Sequence, residues 1–83
     1  MEHKLKTWPE FFKHIWSGEK TFELRKDDRG FRAGDTLRLQ EWSFRHGYTG
    51  REIVAVVSYV LSGMGLQDGW VAMSLAQQKR KDK

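Results

Sequence analysis

Hydrophobic side chains fall into two rhythms along this chain. Phe11, Phe12, Ile15 and Trp16 recur at helical spacing and predict a helix with one apolar face. Pro9 suits its first turn, where a missing N–H costs nothing. Thr7 or Trp8 then sits at the N-cap, with Thr7 the better capping chemistry, and Gly18 ends the helix. Elsewhere the period is two. Residues 3–7, 21–26, 36–42, 51–61 and 70–75 predict five strands. In the third, Leu37, Leu39 and Glu41 share one face, and Arg38, Gln40 and Trp42 share the other. The fourth is rich in β-branched residues (Ile53, Val54, Val56, Val57, Val60) and predicts a long central strand, bent to serve two neighbours. Asp27-Asp28-Arg29-Gly30 and Ala33-Gly34-Asp35 read as turns. Arg45-His46-Gly47-Tyr48-Thr49-Gly50 reads as a hairpin connection, and residues 62–69 read as a glycine-containing loop.

One N-terminal helix and about five strands joined by short turns predict an α+β, mainly β domain, a small barrel with the helix against it. Near-closure removes the exposed edges that a flat sheet would carry. Residues 1–76 are expected to form this domain. Residues 77–83 are too polar to pack and are expected to be a disordered basic tail.

Composition narrows the function classes. The 83 residues make one domain without cysteine, so neither a disulfide nor a Cys-ligated zinc supports it. The eleven aromatic residues are enough to fill a small core. No apolar run is long enough to cross a membrane, and no apolar segment follows the charged start, so a cytoplasmic, monomeric domain without a signal peptide is expected. The net charge is +4, but residues 76–83 hold +3 of it, with four basic side chains against Asp82. The body is therefore close to neutral, and the total charge does not by itself argue a nucleic-acid surface.

Gly18-Glu19-Lys20-Thr21-Phe22-Glu23-Leu24-Arg25 carries the densest chemistry. Alternation predicts Phe22 and Leu24 in the core, with Thr21, Glu23 and Arg25 together on the other face. Gly18 supplies a turn that lets Lys20 fold over the same opening. Two cations and an anion then converge in a candidate binding cleft; the plainer alternative is a solvated sheet face carrying an exposed ion pair. A lysine in a partly desolvated cleft can serve as base or nucleophile, but a neighbouring carboxylate favours the charged amine. The local sequence therefore favours Lys20 as a cationic anchor.

Gly18, Lys20, Glu23 and Arg25 form a Gly-x-Lys-x-x-Glu-x-Arg pattern that resembles the signature of the ASCH family, a branch of the PUA-like β-barrels. Leu5-Lys6-Thr7-Trp8-Pro9, Arg25-Lys26-Asp27-Asp28-Arg29, Phe31-Arg32-Ala33-Gly34-Asp35 and Tyr48-Thr49-Gly50-Arg51 resemble the DUF3850 subgroup, found mainly in bacteria and phages. The resemblance implies a small mixed-topology barrel and, because many PUA-like relatives bind RNA, an RNA or nucleotide-like ligand. ASCH-like amidohydrolases acting on acetylated cytidine are thought to use the lysine in catalysis, with threonine at the position held here by Glu23. This chain keeps Lys20 and departs at Glu23.

Arg29 and Arg32 flank Phe31, and Arg45, Tyr48 and Arg51 surround the hairpin with Trp42 and Phe44. Aromatics interleaved with arginines suit base stacking with phosphate contacts. Core packing of Trp42 and Phe44, with solvated arginines, is the alternative. His3, His14 and His46 have no metal-type spacing, and no P-loop, dinucleotide fingerprint or nucleophile elbow is present, so neither metal nor cofactor is expected. The expected function is RNA or nucleotide-like ligand binding through Lys20, Glu23, Arg25, Arg29, Arg45, Tyr48 and Arg51. Lys20 and Arg25 would hold anionic or carbonyl oxygens, and Glu23 would accept from a base edge or orient Arg25. The alternative is a small hydrolase acting on a modified nucleoside or on RNA, with Lys20 at the chemistry.

Overall fold

β1 (Glu2–Thr7) alternates strictly, with His3, Leu5 and Thr7 buried and Glu2, Lys4 and Lys6 in solvent. The computed structural model describes residues 1–83. α1 (Pro9–Trp16) starts at Pro9 as the sequence predicts, but its N-cap is Trp8, which makes no side-chain cap bond. Thr7 belongs to β1 instead, with its hydroxyl 3.4 Å from the Leu5 carbonyl. Phe12 and Ile15 are the buried face of α1. Gly18, at φ +88°, then reverses the chain in a conformation that favours glycine.

Four strands follow: β2 (Phe22–Lys26), β3 (Thr36–Ser43), β4 (Gly47–Ser62) and β5 (Trp70–Asp82). They form one five-stranded sheet in the order β1-β3-β4-β5-β2, with β1 parallel to β3 and the other pairs antiparallel. The protein is therefore mainly β with one short helix, as the sequence predicts. The sheet is a curled half-barrel around Phe12, Ile15, Leu37, Leu39, Ile53, Val57 and Met73. β4 is the expected central strand and pairs with both β3 and β5. Register shifts at Val54/Val56 and Val57/Tyr59 supply local bending and twist.

β2 faces the opposite way from the expectation. Phe22 is 48 % exposed and Leu24 45 %, whereas Glu23 is only 4 % exposed. Alternation is kept, but the charged set turns inward. The physical reason is neutralisation: Glu23 meets two cations inside, so its burial is compensated. Phe22 and Leu24 remain half-covered as the wall of a cleft.

The chain end also differs from the expectation. Instead of a disordered tail, β5 runs to Asp82 and pairs Lys79, Arg80, Lys81 and Asp82 with Val54, Ile53, Glu52 and Arg51. Backbone pairing needs no apolar side chain, and the register sets Lys81 opposite Glu52 and Asp82 opposite Arg51. Arg80 donates from Nε to the Trp16 carbonyl at 2.7 Å. The β3–β4 connection is shorter than expected, since Gly47 already pairs with Ser43 and Tyr48 with Trp42.

Candidate ligand-binding cleft

The half-barrel has two edges, β1 and β2, with no backbone ladder joining them. Side chains from β2 and the turn after it span that seam. Arg25 donates from Nη2 to the Lys6 carbonyl at 2.7 Å and lies 3.4 Å from the Thr7 hydroxyl. Arg29 donates from Nη1 to the Lys4 carbonyl at 3.1 Å. Lys4 and Lys6 are two residues apart on β1, so both carbonyls point to the same side. The two arginines thus satisfy acceptors that an edge strand leaves open. The turn that delivers Arg29 is tied by Asp27, whose Oδ1 accepts from the Gly30 and Phe31 amides at 2.8 and 3.0 Å.

Glu23 is the pivot of the seam. Its Oε2 accepts from Arg25 Nε at 2.6 Å, and its Oε1 accepts from Lys20 Nζ at 3.3 Å. Lys20 is placed by the Gly18 turn and by its own amide, which donates to the His14 carbonyl at 2.9 Å. Its ammonium lies 4.8 Å from the Phe22 ring centroid and 5.7 Å from that of Phe11. A carboxylate and two ring faces therefore surround one cation.

Above this charged floor opens a cleft of about 560 Å³. Trp8, Phe11, Phe22, Phe31 and Trp70 supply its aromatic wall; Lys20, Glu23, Arg25 and Arg29 line it together with the further charges of Lys6, Lys26 and Asp28. Four of the expected site residues thus come together. Arg45, Tyr48 and Arg51 do not line the cleft. Arg45 and Tyr48 sit at the exposed β3–β4 hairpin. Arg51 packs 4.2 Å from the Trp16 ring centroid and 3.6 Å from Glu41, where it braces the helix.

Sequence reasoning missed Trp8, Phe11 and Trp70 as cleft residues, because helical and strand periodicity assigns aromatics to a core by default. The signal available was their position: Trp8 precedes the helix, and Trp70 opens a strand. It also missed His3, which is buried and whose Nε2 lies 2.9 Å from Asp35 Oδ2. Asp35 further accepts from the Arg32 amide and the Met1 amino group. The His3 hydrogen bond, with those contacts behind it, holds the Asp35 carboxyl down at about 2. This network is structural: it pins the turn before β3 to β1.

The charged floor of the seam is built from the same residues that carry the sequence signature, and a sequence comparison identifies the family. The profile described as "Domain of unknown function (DUF3850)" matches residues 2–75. The chain belongs to the DUF3850 family. A relative from Escherichia phage P2, "Uncharacterized 12.9 kDa protein in GpA 3'region", is 38% identical over 58 residues. That match covers 70% of this chain and 52% of the phage protein, so the DUF3850 domain spans about half the length of that relative. No helix of the domain is long and apolar enough to cross a membrane.

Proposed function

We propose that this DUF3850 domain is an ASCH-type, PUA-like module that binds RNA or a nucleotide-like ligand in the cleft over Lys20, Glu23 and Arg25. One observation carries the reading: flat aromatic faces surround a small set of convergent charges. A cleft of about 560 Å³ is of small-ligand size. Stacking on rings such as Trp8 and Trp70 would supply affinity, and polar groups would supply orientation. Lys20 has donors beyond the one given to Glu23 and would meet an anionic or carbonyl oxygen. Glu23 has spare lone pairs for a base edge. Arg25 is committed to Glu23 and to β1, so its part is to hold Glu23 and the seam in place. The absence of cysteine fits action in a reducing compartment such as the cytoplasm, and the domain would act as a monomer.

The competing chemistry is hydrolysis at Lys20, and a single set of variants separates the two. Wild type, Lys20→Arg, Lys20→Ala and Glu23→Thr are titrated with nucleosides, nucleotides and short RNAs, and acetylated cytidine is followed for product. Binding without turnover is expected. Lys20→Ala should lose roughly tenfold or more in affinity, as for a lost charge-assisted hydrogen bond. Lys20→Arg should retain much of it. Turnover by wild type that vanishes in Lys20→Arg would overturn the binding reading, because a guanidinium does not deprotonate near neutral pH.

A further inference from the structure

Three aromatic rings form a second surface cluster beside the cleft. Trp8 lies 5.7 Å from Trp42 and 5.3 Å from Phe44, and Trp42 lies 4.8 Å from Phe44 at an interplanar angle of 70°. The cluster is not an extension of the core, since none of the three belongs to the core cluster. Phe44 is 83 % exposed at the hairpin tip. Trp8 and Lys6 belong to both surfaces, because they also line the cleft. The aromatic path is therefore continuous from the Lys20 floor, past Trp8, to Phe44. Cations accompany the rings: Lys6 Nζ lies 4.4 Å from the Trp42 ring centroid and Arg45 follows Phe44, while Lys4 shares the exposed face of β1 with Glu2, whose carboxylate is paired to Arg38.

We propose that Trp8, Trp42 and Phe44, with Lys6 and Arg45, form the second half of a track for a single-stranded oligonucleotide whose first base sits in the cleft. This rests on the nucleotide-binding reading of the cleft and goes beyond it by assigning the surface, outside the Lys20 floor, that takes the neighbouring nucleotides of a single strand. Rings alternating with cations match bases alternating with phosphates. A folded protein partner would cover the rings equally well but gives no reason for a cation set over the middle ring.

The test compares ligand length. Fluorescently labelled mononucleotide, dinucleotide and octanucleotide, the last as RNA and as DNA of one sequence, are titrated into wild type, Phe44→Ala, Lys6→Ala and Lys20→Ala. Wild type should bind the octamer at least tenfold tighter than the mononucleotide. Phe44→Ala should weaken the octamer roughly five- to a hundredfold, as for one lost stacking partner, and leave the mononucleotide within twofold. Lys6→Ala should reduce the slope of log K against log salt for the octamer by about 0.7. Phe44 is largely exposed, so Phe44→Ala should melt within a few degrees of wild type, and mononucleotide affinity within twofold shows that Trp8, on which Phe44 packs, keeps its place in the cleft. RNA and DNA of equal affinity would support the track and show that it ignores the 2′-hydroxyl. Length-independent affinity, or an octamer indifferent to Phe44→Ala, would overturn the track while leaving the cleft reading standing. No binding of any nucleotide would overturn both, and would turn attention to a protein partner for the rings.

Discussion

Arg25 donates a 2.7 Å hydrogen bond from its guanidinium to the backbone carbonyl of Lys6, joining the two free edges of the half-barrel. The same guanidinium donates to the buried Glu23 at 2.6 Å. Closure of the sheet and organisation of the cleft thus share one side chain.

Removing that side chain should loosen the seam. Arg25→Ala is expected to lower stability by about 1.5–3 kcal/mol, the range for hydrogen bonds involving a charged group. Arg25→Lys should recover little, since an ammonium is a point charge and cannot span Glu23 and Lys6 as a fork does. A double-mutant cycle with Glu23→Gln in urea should show a coupling energy of about 0.5–3 kcal/mol. Strict additivity would mean that the pair makes no contact that matters to folding.

The reversed facing of β2 has a direct stability signature. Phe22 is half-exposed on the cleft wall, whereas Phe12 is completely buried. Phe12→Ala should cost about 3–5 kcal/mol. Phe22→Ala should cost clearly less, because little core volume is emptied, and should act on ligand binding instead. Equal losses for the two in chemical denaturation would place Phe22 in the core.

Deleting residues 77–83 should destabilise the domain. The deletion strips β4 of its partners from Arg51 to Val54 and removes the Arg80 bond to Trp16. A melting temperature lower by roughly 5–15 °C is expected, taking about 4–8 °C per kcal/mol for a domain of this size. A truncated protein that melts with wild type would show that the end of β5 contributes nothing.

Asp35 should make stability fall in acid. Its carboxyl is held at about 2 against an ordinary value of 3.8, mainly by the His3 hydrogen bond. The folded state binds its proton less readily than the unfolded chain, so the contribution is fully present above about pH 5 and shrinks as pH falls through 3.8. It is lost as pH drops through about 2. Asp35→Asn should therefore be least stable relative to wild type near neutrality, and the gap should narrow between pH 5 and pH 2. A gap independent of pH in urea titrations would rule out the carboxylate as its source.

Periodicity alone determined most of the architecture. The switch from spacing 3.6 to spacing 2, Pro9 at the helix start, the Gly18 turn and the β-branched run in β4 are local signals, and each lies where the sequence places it. The convergence of Lys20, Glu23 and Arg25 was also legible, because residues two and three apart around a turn and strand cannot lie far from one another. Tertiary structure alone decided which face of β2 turns inward. Alternation is symmetric between faces, and hydropathy favours Phe22 and Leu24; the choice fell to Glu23 because two cations compensate its burial beside an open seam. The fate of the basic end was equally non-local. Nothing in residues 77–83 buries apolar surface, and strand formation there depends on β4 offering backbone partners and opposite charges from far along the chain. Seam closure belongs to the same class: only when β1 and β2 become opposite edges of one curled sheet do Arg25 and Arg29 find carbonyls left unpaired.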